Sequence, residues 1–538
     1  MRRRLLALTL GLPLAASALL GAGSADAPEP PAVDAAVQVT RTPTVRAHAV
    51  PALAVHPDDP QVLAIGEGEA YGGRCALHVS TDAGLSWSAT PIPQAPEWPG
   101  CVYANFGPVV DVAFGPDGTL YYAYSGFDPA TYHQRMFLAR SGDLGATFDT
   151  TMLPWVEPDL EGGQFGADAL PSVVVDPDRP ERVFVGWMSN NGTWNLSEQA
   201  LEGQEYFYDI ESRPYVAVSE DSGRSFSDPV DVAGDVEGWM SEPHLAVGGD
   251  GALLVFFGEN TKPAKEAPEG TLASPAHLYL AVSRDGGRTF AQQAIFTRDP
   301  KEEDWLSAPA PAVDRDTGHV YVAWEETGAG APFVAFMRSV DGGRSWSDPV
   351  AVNDAQPQRE WSFNEFFPSL DVASDGRIDV AWYDWRNDVT FSEGAEENRL
   401  QDVYYSYSSD GGQTWAANLK VNDRAIDRSL GVAQEYGVKG PIGLASATGL
   451  AYVAWDDTRN SSDQTHSQDV YFTRVRFSSP AGVFQPTADD GRALLWAGMG
   501  AGTALAVGGL ILVLGTRAVG RRQPETTAEP AGSPVSRA

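Results

Sequence analysis

The sequence predicts an all-β fold, a seven-bladed β-propeller built from four-stranded units, on three observations. An octapeptide of the form Ser-x-Asp-x-Gly-x-(Ser/Thr)-(Trp/Phe) occurs six times. Short alternating segments such as Tyr279 to Ser283 flank each copy, and regularly spaced strands between turn residues are typical of all-β folds. The chain contains 55 Gly and 39 Pro, which favours many turns. Four-stranded sheets repeated around an axis form a propeller, and ring closure removes their exposed edges.

The octapeptide itself is interpreted as a hairpin turn. Its Ser and Asp side chains can bond turn amides, its Gly takes a positive-φ position, and its aromatic residue returns to the sheet. We assign a structural role to the six aspartates of these turns, which are Asp82, Asp143, Asp221, Asp285, Asp341 and Asp410.

Seven strand–turn–strand segments are visible, and the last, which begins near Gly440, has no octapeptide. The seventh unit therefore lacks a fourth strand. The segment Val37 to Thr40 is expected to supply that strand and close the ring. The propeller domain is predicted to span residues 36–478.

The N-terminus predicts export. Three arginines at positions 2–4 precede an apolar run and then small residues, which is the pattern of a signal peptide over residues 1–27. An exported chain with two cysteines, Cys75 and Cys101, favours a disulfide between them, the alternative being two buried thiols.

The C-terminus predicts a membrane anchor. Residues 493–516 contain no charge and are long enough to span a bilayer as a helix. Arginines follow this span, so the positive-inside rule places the tail, residues 517–538, in the cytoplasm. Residues 479–492 would form a stalk. The expected topology is a single-pass type I protein of the cell membrane with an extracellular propeller.

Charge and motif content exclude some classes of function. The formal net charge of −35 argues against nucleic-acid binding, which depends on basic residues meeting phosphates. No CxxC or HExxH motif is present, so we expect no metal centre and no cofactor. One segment, Asp314 to Gly318, can be interpreted as a calcium loop or as an ordinary Asx turn.

The octapeptide is the Asp-box, and the chain resembles the Asp-box (BNR-repeat) propellers, bacterial sialidases among them, over residues 36–478. The resemblance implies a glycan site on the face opposite the Asp-boxes, formed by arginines, an Asp acid, and a Tyr nucleophile paired with a Glu. It also implies an alternative to seven blades, the six-bladed propeller, which is the sialidase architecture. The first unit begins Ala49-Val50-Pro51, without the arginine of the sialidase pattern.

By this resemblance Glu242, in Ser241-Glu242-Pro243, takes the place of the sialidase Glu, and Asp384 is the candidate acid or base. The candidates for binding a substrate anion are Arg386, Arg459 and Arg213. The alternative for Arg386 and Arg459 is that each holds its own loop, through Asp402 and Asp469. Other acidic residues expected on this face include Glu67, Glu69, Glu259, Glu326, Asp456 and Asp457.

Three functions remain open at this point. The first is a membrane-anchored, sialidase-like propeller that binds or hydrolyses glycans on this face, with a glycan or glycoprotein as partner and the lipid bilayer contacted through residues 493–516. The second is a non-catalytic surface propeller for protein binding or adhesion. The third is a glycanase outside the sialidases that uses two carboxylates, such as Glu242 and Asp384.

Overall fold

The computed structural model describes residues 30–41, 47–69, 73–101, 109–128, 130–131, 133–156, 164–194, 207–260, 275–298, 306, 309–326, 333–354, 367–388, 400–431 and 441–478. Every regular element in these ranges is a β-strand, which confirms the predicted all-β class. The predicted signal peptide, stalk, membrane span and cytoplasmic tail lie outside the described residues. No apolar helix of membrane-spanning length occurs in the described part of the chain.

The described strands form six hydrogen-bonded sheets, and the eight-stranded one contains two successive sets of strands joined by a parallel pairing of Ala167 with Gln134. Counting these two sets separately gives seven groups, numbered here in chain order, with antiparallel pairing between chain neighbours within a group. Two short strands precede group one: β1 (Ala32–Val33) and β2 (Val37–Gln38). Group one is β3 (His48–His56), β4 (Asp59–Glu69), β5 (Cys75–Ser80) and β6 (Ser88–Pro91). Group two is β7 (Val110–Phe114), β8 (Leu120–Phe127), β9 (Gln134–Ser141) and β10 (Asp149–Met152). Group three is β11 (Gln164–Val175), β12 (Val183–Trp194), β13 (Phe207–Ser219) and β14 (Val230–Asp231).

Groups four, six and seven each contain two short strands that pair with the same neighbouring strand. Group four is β15 (Trp239–Met240), β16 (His244–Val247), β17 (Leu253–Asn260), β18 (Ala276–Ser283) and β19 (Ala291–Arg298). Group five is β20 (Ala310–Asp314), β21 (His319–Glu326), β22 (Phe333–Ser339) and β23 (Val350–Ala351). Group six is β24 (Ser369–Val372), β25 (Ile378–Asp384), β26 (Leu400–Ser408), β27 (Leu419–Lys420) and β28 (Ile426–Asp427). Group seven is β29 (Gly443–Ala447), β30 (Leu450–Asp457) and β31 (Asp469–Arg476), with β1 and β2 added.

The N-terminal segment completes group seven. Strand β2 pairs antiparallel with β31, placing Val37 opposite Phe472. The hydroxyl of Thr40 donates to Asp469 at 2.9 Å and accepts the amide of Val470 at 3.0 Å. The predicted pairing of Val37 to Thr40 with the seventh unit is therefore confirmed.

The first strands of the groups contact one another in chain order, β3, β7, β11, β16, β20, β24 and β29, and β29 also contacts β3. Hydrophobic cores lie between neighbouring groups, since the strands of two groups contribute to each cluster. The largest buried side chains include four tryptophans on second strands, which are Trp187, Trp324, Trp382 and Trp455. The cores are thus distributed around the series of sheets instead of forming one centre.

Each octapeptide forms the same turn between a third and a fourth strand. In group one the Ser80 hydroxyl donates to Asp82 and accepts the amide of Gly84, both at 2.8 Å. The second oxygen of Asp82 accepts the Ser86 hydroxyl at 2.6 Å. The five other copies repeat these bonds. Two consecutive residues, not one, have positive φ: Ala83 at 57° and Gly84 at 84° in the first copy.

The octapeptide glycine also packs against the preceding group, which local turn chemistry does not require. A Cβ atom on Gly412 would lie 2.2 Å from Phe336, on the third strand of group five. On Gly84 it would lie 2.0 Å from Phe472, on the third strand of group seven. The other four copies meet Leu77, Leu138, Val218 and Leu280, each on the third strand of the group before. The repeated glycine therefore allows neighbouring sheets to approach closely, and group one packs on group seven in the same way.

Cys75 and Cys101 form a disulfide, with their Cα atoms 5.7 Å apart, as predicted. Both are buried. The bond ties the start of β5 to the segment that leads from group one to group two.

Candidate functional site

The face opposite the octapeptide turns, here called the top face, is where second strands end and third strands begin. Asp384 lies there at the end of β25, and it is only 3% exposed. Its carboxylate accepts the Trp382 indole at 3.0 Å, and the backbone amide and guanidinium of Arg386 at 2.8 and 2.7 Å. Arg386 also pairs with Asp354 at 2.8 Å. A buried carboxylate with three donors is stabilised as an anion and holds its own turn.

Group seven, which follows group six along the chain, repeats this arrangement. Asp457 accepts the Trp455 indole and the guanidinium of Arg459, at 3.0 and 2.7 Å. Arg459 also pairs with Asp423 at 2.9 Å. The two arginines hold their own loops, but through these partners and not through the expected Asp402 and Asp469.

Asp402 and Asp469 are held by asparagines. Asn387 donates to Asp402 at 2.8 Å, and Asn460 donates to Asp469 at 2.9 Å. Each asparagine also donates to a tyrosine hydroxyl of the same group. The repeated Trp-x-Asp-x-Arg-Asn motif is therefore a loop-fastening unit in both groups.

The third candidate arginine, Arg213, lies on β13 and holds the segment that leads into group four. Its guanidinium bonds the Asp231 carboxylate at 2.8 and 3.0 Å and the carbonyls of Gly234 and Val236 at 2.6 Å. All three candidate arginines thus bind protein groups within or next to their own group of strands.

Glu242 lies between β15 and β16, at the top end of the first strand of group four. Burial raises the pKa of its carboxyl group, and the nearby His244 partly offsets that effect. Among the described residues, no side chain donates a hydrogen bond to this carboxyl group. The raised pKa at the sequence-predicted position suits a carboxyl group that donates a proton.

A pocket of about 540 Å³ lies between the segment that leads from group three to group four and the strands of group four. Its lining combines acidic, aromatic and amide side chains: Asp235, Val236, Glu237, Glu259, His277, Tyr279 and Gln292. Three carboxyl groups and one imidazole are part of this lining.

The sheet of group four supplies one wall. Glu259, next to the end of β17, lies directly opposite His277 on β18, and Phe257 lies opposite Tyr279. The period-2 alternation of strands puts these four side chains on one face. The Phe257 and Tyr279 rings stack with centroids 5.4 Å apart. The apolar core between the two groups therefore ends in a polar rim.

The loop from Asp231 to Gly238 supplies the other wall. Arg213 holds it as described, and the Gln292 amide donates to the Val232 carbonyl at 2.7 Å. Gly238 has a φ of 122°, and a Cβ there would lie 2.7 Å from Oε1 of Glu259. Only glycine lets this loop pass so close to the Glu259 carboxyl group.

Glu259 is the most unusual group in the pocket. Only 7% of the residue is exposed to solvent. Its nearest recorded polar partner is Nε2 of His277, at 3.9 Å from Oε2, beyond hydrogen-bond distance. Burial raises the pKa of Glu259 to about 7. Near neutral pH this group can therefore either donate or accept a proton.

Metal chemistry has little support in the described ranges. No group of three or more His, Cys, Asp or Glu side chains there is arranged to hold a metal ion. In the Asp314 segment, Oδ1 accepts the amides of Asp316 and Thr317 at 3.0 and 3.2 Å, which is the Asx-turn geometry.

Sequence reasoning placed Glu259 on the top face but did not single it out. It named Tyr279 only as part of a strand, and it did not name Asp235, Glu237 or His277. The alternation of His277 and Tyr279 on a strand was a usable signal for a shared face. The loop residues had no such signal, because their proximity to Glu259 results from the packing of two groups.

Comparison with known proteins gives a likeness of fold. No protein-family model and no curated protein matches the chain. Among solved structures it is similar to the Hadza microbial sialidase Hz136, with 15% identity, 78% of this chain and 74% of that chain covered, and a TM-score of 0.43. It is also similar to the GH93 α-L-arabinofuranosidase of Fusarium graminearum in complex with arabinobiose (13%, 65% and 92%, 0.42). A third similar structure is a protein of unknown function from Dyadobacter fermentans, with 12% identity, 83% of this chain and 99% of that chain covered, and a TM-score of 0.44.

Proposed function

We propose that the chain is an extracellular, seven-bladed β-propeller that binds and hydrolyses a glycan without negative charge in the Glu259 pocket. In this proposal the seven strand groups are the blades. The observation that carries the functional part is the Glu259 carboxyl group, which is buried, lacks a described hydrogen-bond donor and lines a pocket beside Tyr279.

The side chains of the pocket suit a sugar. Carboxylate and amide groups accept and donate hydrogen bonds to hydroxyl groups, and an aromatic ring contacts the apolar face of a sugar. An anionic sugar such as a sialic acid would need cationic partners to offset the three carboxyl groups. Arg213, which holds the loop that lines the pocket, is already bonded to Asp231 and two carbonyls.

Hydrolysis of a glycosidic bond needs a proton donor and a second carboxylate. Glu259 has the properties of the donor, because its pKa of about 7 leaves much of it protonated at neutral pH. The second carboxylate comes from Asp235, Glu237 or Glu242. A separation of about 5–5.5 Å from Glu259 would give retention, and about 6.5–9.5 Å would give inversion.

The test is hydrolysis of a panel of fluorogenic neutral glycosides, with a sialoside included, by the purified full-length chain. We expect turnover of a neutral substrate, and a loss of at least about 100-fold in kcat for Glu259→Gln. Glu181→Gln, an exposed change on the opposite side of group three, is the matched control. If Glu242→Gln loses activity while Glu259→Gln retains it, the catalytic site lies at Glu242.

Binding of a glycan without turnover would retain the site and reassign the protein as a non-catalytic surface propeller. Turnover of the sialoside alone would contradict the proposal, because the three candidate arginines are bonded to other protein groups and the pocket lining contains three carboxyl groups.

We further propose that the propeller is held at the cell surface by residues 493–516, after removal of residues 1–27. The support is the uncharged C-terminal span followed by arginines. Protease added to intact cells should release the propeller and leave the tail attached. A propeller protected from protease until the cells are lysed would contradict this topology.

A further inference from the structure

We infer that Phe257 is a positioning residue of the proposed site. It stands where three other strand groups carry a Trp that bonds the top-face acid, and it thereby leaves the Glu259 carboxyl group available for proton transfer. The inference rests on the proposed function and adds the residue that sets the state of its proton donor. The other strand groups, which share one architecture, serve as internal references.

The second strands of groups five, six and seven end in the same pair of side chains. Each has a buried Trp and, two residues later, an acid whose carboxylate accepts the indole N–H at 3.0 Å. The pairs are Trp324 with Glu326, Trp382 with Asp384, and Trp455 with Asp457. Residues two apart share one face of a strand, which brings the indole beside the carboxylate. Group five keeps this bond although Thr327, not an arginine, follows its acid by two positions. The indole is therefore the donor that all three groups share.

Group four has the acid without the indole. Phe257 and Glu259 lie two residues apart on β17, at the places of the Trp and the acid. The strand register supports this equivalence, because each of these aromatic residues lies opposite a tyrosine of the third strand and stacks on it. The pairs are Phe257 with Tyr279, Trp382 with Tyr404, and Trp455 with Tyr471, with ring centroids 5.4, 6.3 and 6.4 Å apart. A phenyl ring thus occupies the usual aromatic position but has no N–H group to donate.

Group one shows that the loss of the Trp need not leave the acid without donors. Ile65 stands at the Trp place there, opposite His78 of the third strand. Its acid, Glu67, bonds His48 at 2.8 Å and His78 at 3.2 Å. Histidines therefore replace the indole in group one. No side chain among the described residues replaces it at Glu259 within hydrogen-bond distance.

The surroundings of Glu259 explain why the missing donor matters. The loop places Asp235 and Glu237 on its side of the pocket, and β18 places His277 and Tyr279 there. Nε2 of His277 lies 3.9 Å from Oε2 of Glu259, and the imidazole carries a charge only when protonated. Burial raises the pKa of Glu259 to about 7. An indole donor would favour the ionised form and lower this pKa, so the phenyl ring keeps the carboxyl group able to donate a proton near neutral pH.

Phe257→Trp should convert the reactive acid into a fastened one. The variant restores the pairing of Trp with Tyr seen in groups six and seven, so its indole should donate to Glu259. We expect the pKa of Glu259 to fall by about one unit, which reduces its protonated fraction at pH 7 by about 5-fold. The kcat for a neutral glycoside at pH 7 should fall by a similar factor with little change in KM, and its pH profile should shift by about one unit towards acid.

The experiment is infrared difference titration of the full-length chain, in which the spectrum of Glu259→Gln identifies the Glu259 carboxyl band. This measures the pKa without any turnover. The matched control places 3-benzothienylalanine at position 257, because that side chain has the shape of Trp with sulfur in place of the N–H group. It should leave the pKa at its native value.

A second variant guards against overpacking. Phe257→Trp combined with Tyr279→Ala reproduces group five, where Trp324 lies opposite Ala335 and still bonds its acid. It should lower the pKa of Glu259 in the same way, and thermal unfolding midpoints will show which variants are folded.

The outcomes separate the inference from the proposed function. A native chain that hydrolyses a neutral glycoside, with an unchanged Glu259 pKa in the folded Trp variants, overturns the inference alone. An equal fall of the pKa with 3-benzothienylalanine also overturns it, because shape and not the donor would then be the cause. A native chain that hydrolyses no glycoside overturns the proposed function, and with it the catalytic meaning of Phe257, whatever the titration shows.

Discussion

Two carboxyl groups on the top face show how the immediate surroundings decide what an acidic residue can do. Asp384 accepts hydrogen bonds from an indole, an amide and a guanidinium, which fix its position. Glu259 is equally buried and receives no hydrogen bond from the described residues, and its pKa is raised to about 7. The first residue therefore fastens a loop, and the second is available to a ligand.

A third buried acid, Glu67, lies between two histidines. It accepts His48 Nδ1 at 2.8 Å and contacts His78 Nε2 at 3.2 Å. Burial alone would raise the pKa of Glu67, but the two histidines outweigh it and lower the pKa to about 2. Burial alone would lower the pKa of His48, but the bond to Glu67, with Glu69 and Asp469 nearby, raises it.

Glu67→Gln should destabilise the protein by about 3–5 kcal/mol, the usual cost of breaking a buried pair. The lowered pKa of Glu67 gives stability that is complete above pH 4.5 and lost as the pH falls towards 2. The raised pKa of His48 gives stability that is complete below pH 6.5 and lost as the pH rises through the folded pKa. Urea unfolding across pH 3–9 should therefore show the largest difference between the variant and the native protein at pH 4.5–6.5. A constant difference would contradict the pairing.

Gly412→Ala should destabilise the protein by about 2–4 kcal/mol, because it adds backbone strain at a φ of 79° and a Cβ 2.2 Å from Phe336. The matched control is Gly251→Ala, where φ is 75° and nothing lies within 4 Å of the new Cβ. The control should lose only about 1 kcal/mol, and denaturant unfolding measures both. Equal losses would show that turn strain, not contact between groups, explains the glycine.

At the scale of elements, the octapeptide is both a turn and a connector between sheets. Its Ser and Asp fix the turn, and its Gly lets the turn pack on the third strand of the preceding group. Group seven has no octapeptide; there Phe477 packs edge-on against Tyr407 of group six, with ring centroids 4.9 Å apart. A different side chain therefore fills the same kind of contact.

The disulfide acts on one connection, between groups one and two. Replacing Cys75 and Cys101 by Ala should reduce the free energy of unfolding by about 3.5 kcal/mol, the loop entropy expected for a separation of 26 residues. Chemical unfolding of the variant and of the reduced native protein should give the same loss. A native protein equally stable in oxidised and reduced form would contradict a stabilising role.

At the scale of the whole molecule, closure depends on residues from both ends of the described region. Strands β1 and β2 cover the outer edge of β31, and Arg474 and Arg476 pair with Asp34. Without these strands β31 would present an unpaired edge, which is a template for association between chains.

Removing residues 30–40 from the full-length chain should lower the thermal midpoint and promote self-association. Size-exclusion chromatography and thermal unfolding measure the two effects. Thr40→Val, which loses only the bonds to Asp469 and Val470, should cost about 1–2 kcal/mol and keep the association state of the parent chain. A deletion variant with the stability and the association state of the parent chain would show that the N-terminal strands are dispensable.

The sequence by itself determined the all-β class, the position of six equivalent turns, the disulfide and the pairing of Val37 to Thr40 with the last unit. These features are local or repeated: a turn motif fixes its own hydrogen bonds, alternation fixes the faces of a strand, and two cysteines leave one intramolecular pairing. The close approach of neighbouring sheets at each octapeptide glycine was not determined, because local turn chemistry accounts for the same residue.

The tertiary structure decided which carboxyl groups are free. Asp384 is held by its own motif, through Trp382 and Arg386 two residues away on either side, so its loop-holding role could be weighed from the sequence. Glu259 has no such motif, and its surroundings include the 231–238 loop, which Arg213 holds in place. A pocket between two strand groups is a property of their packing, which is why its residues emerge only from the folded chain.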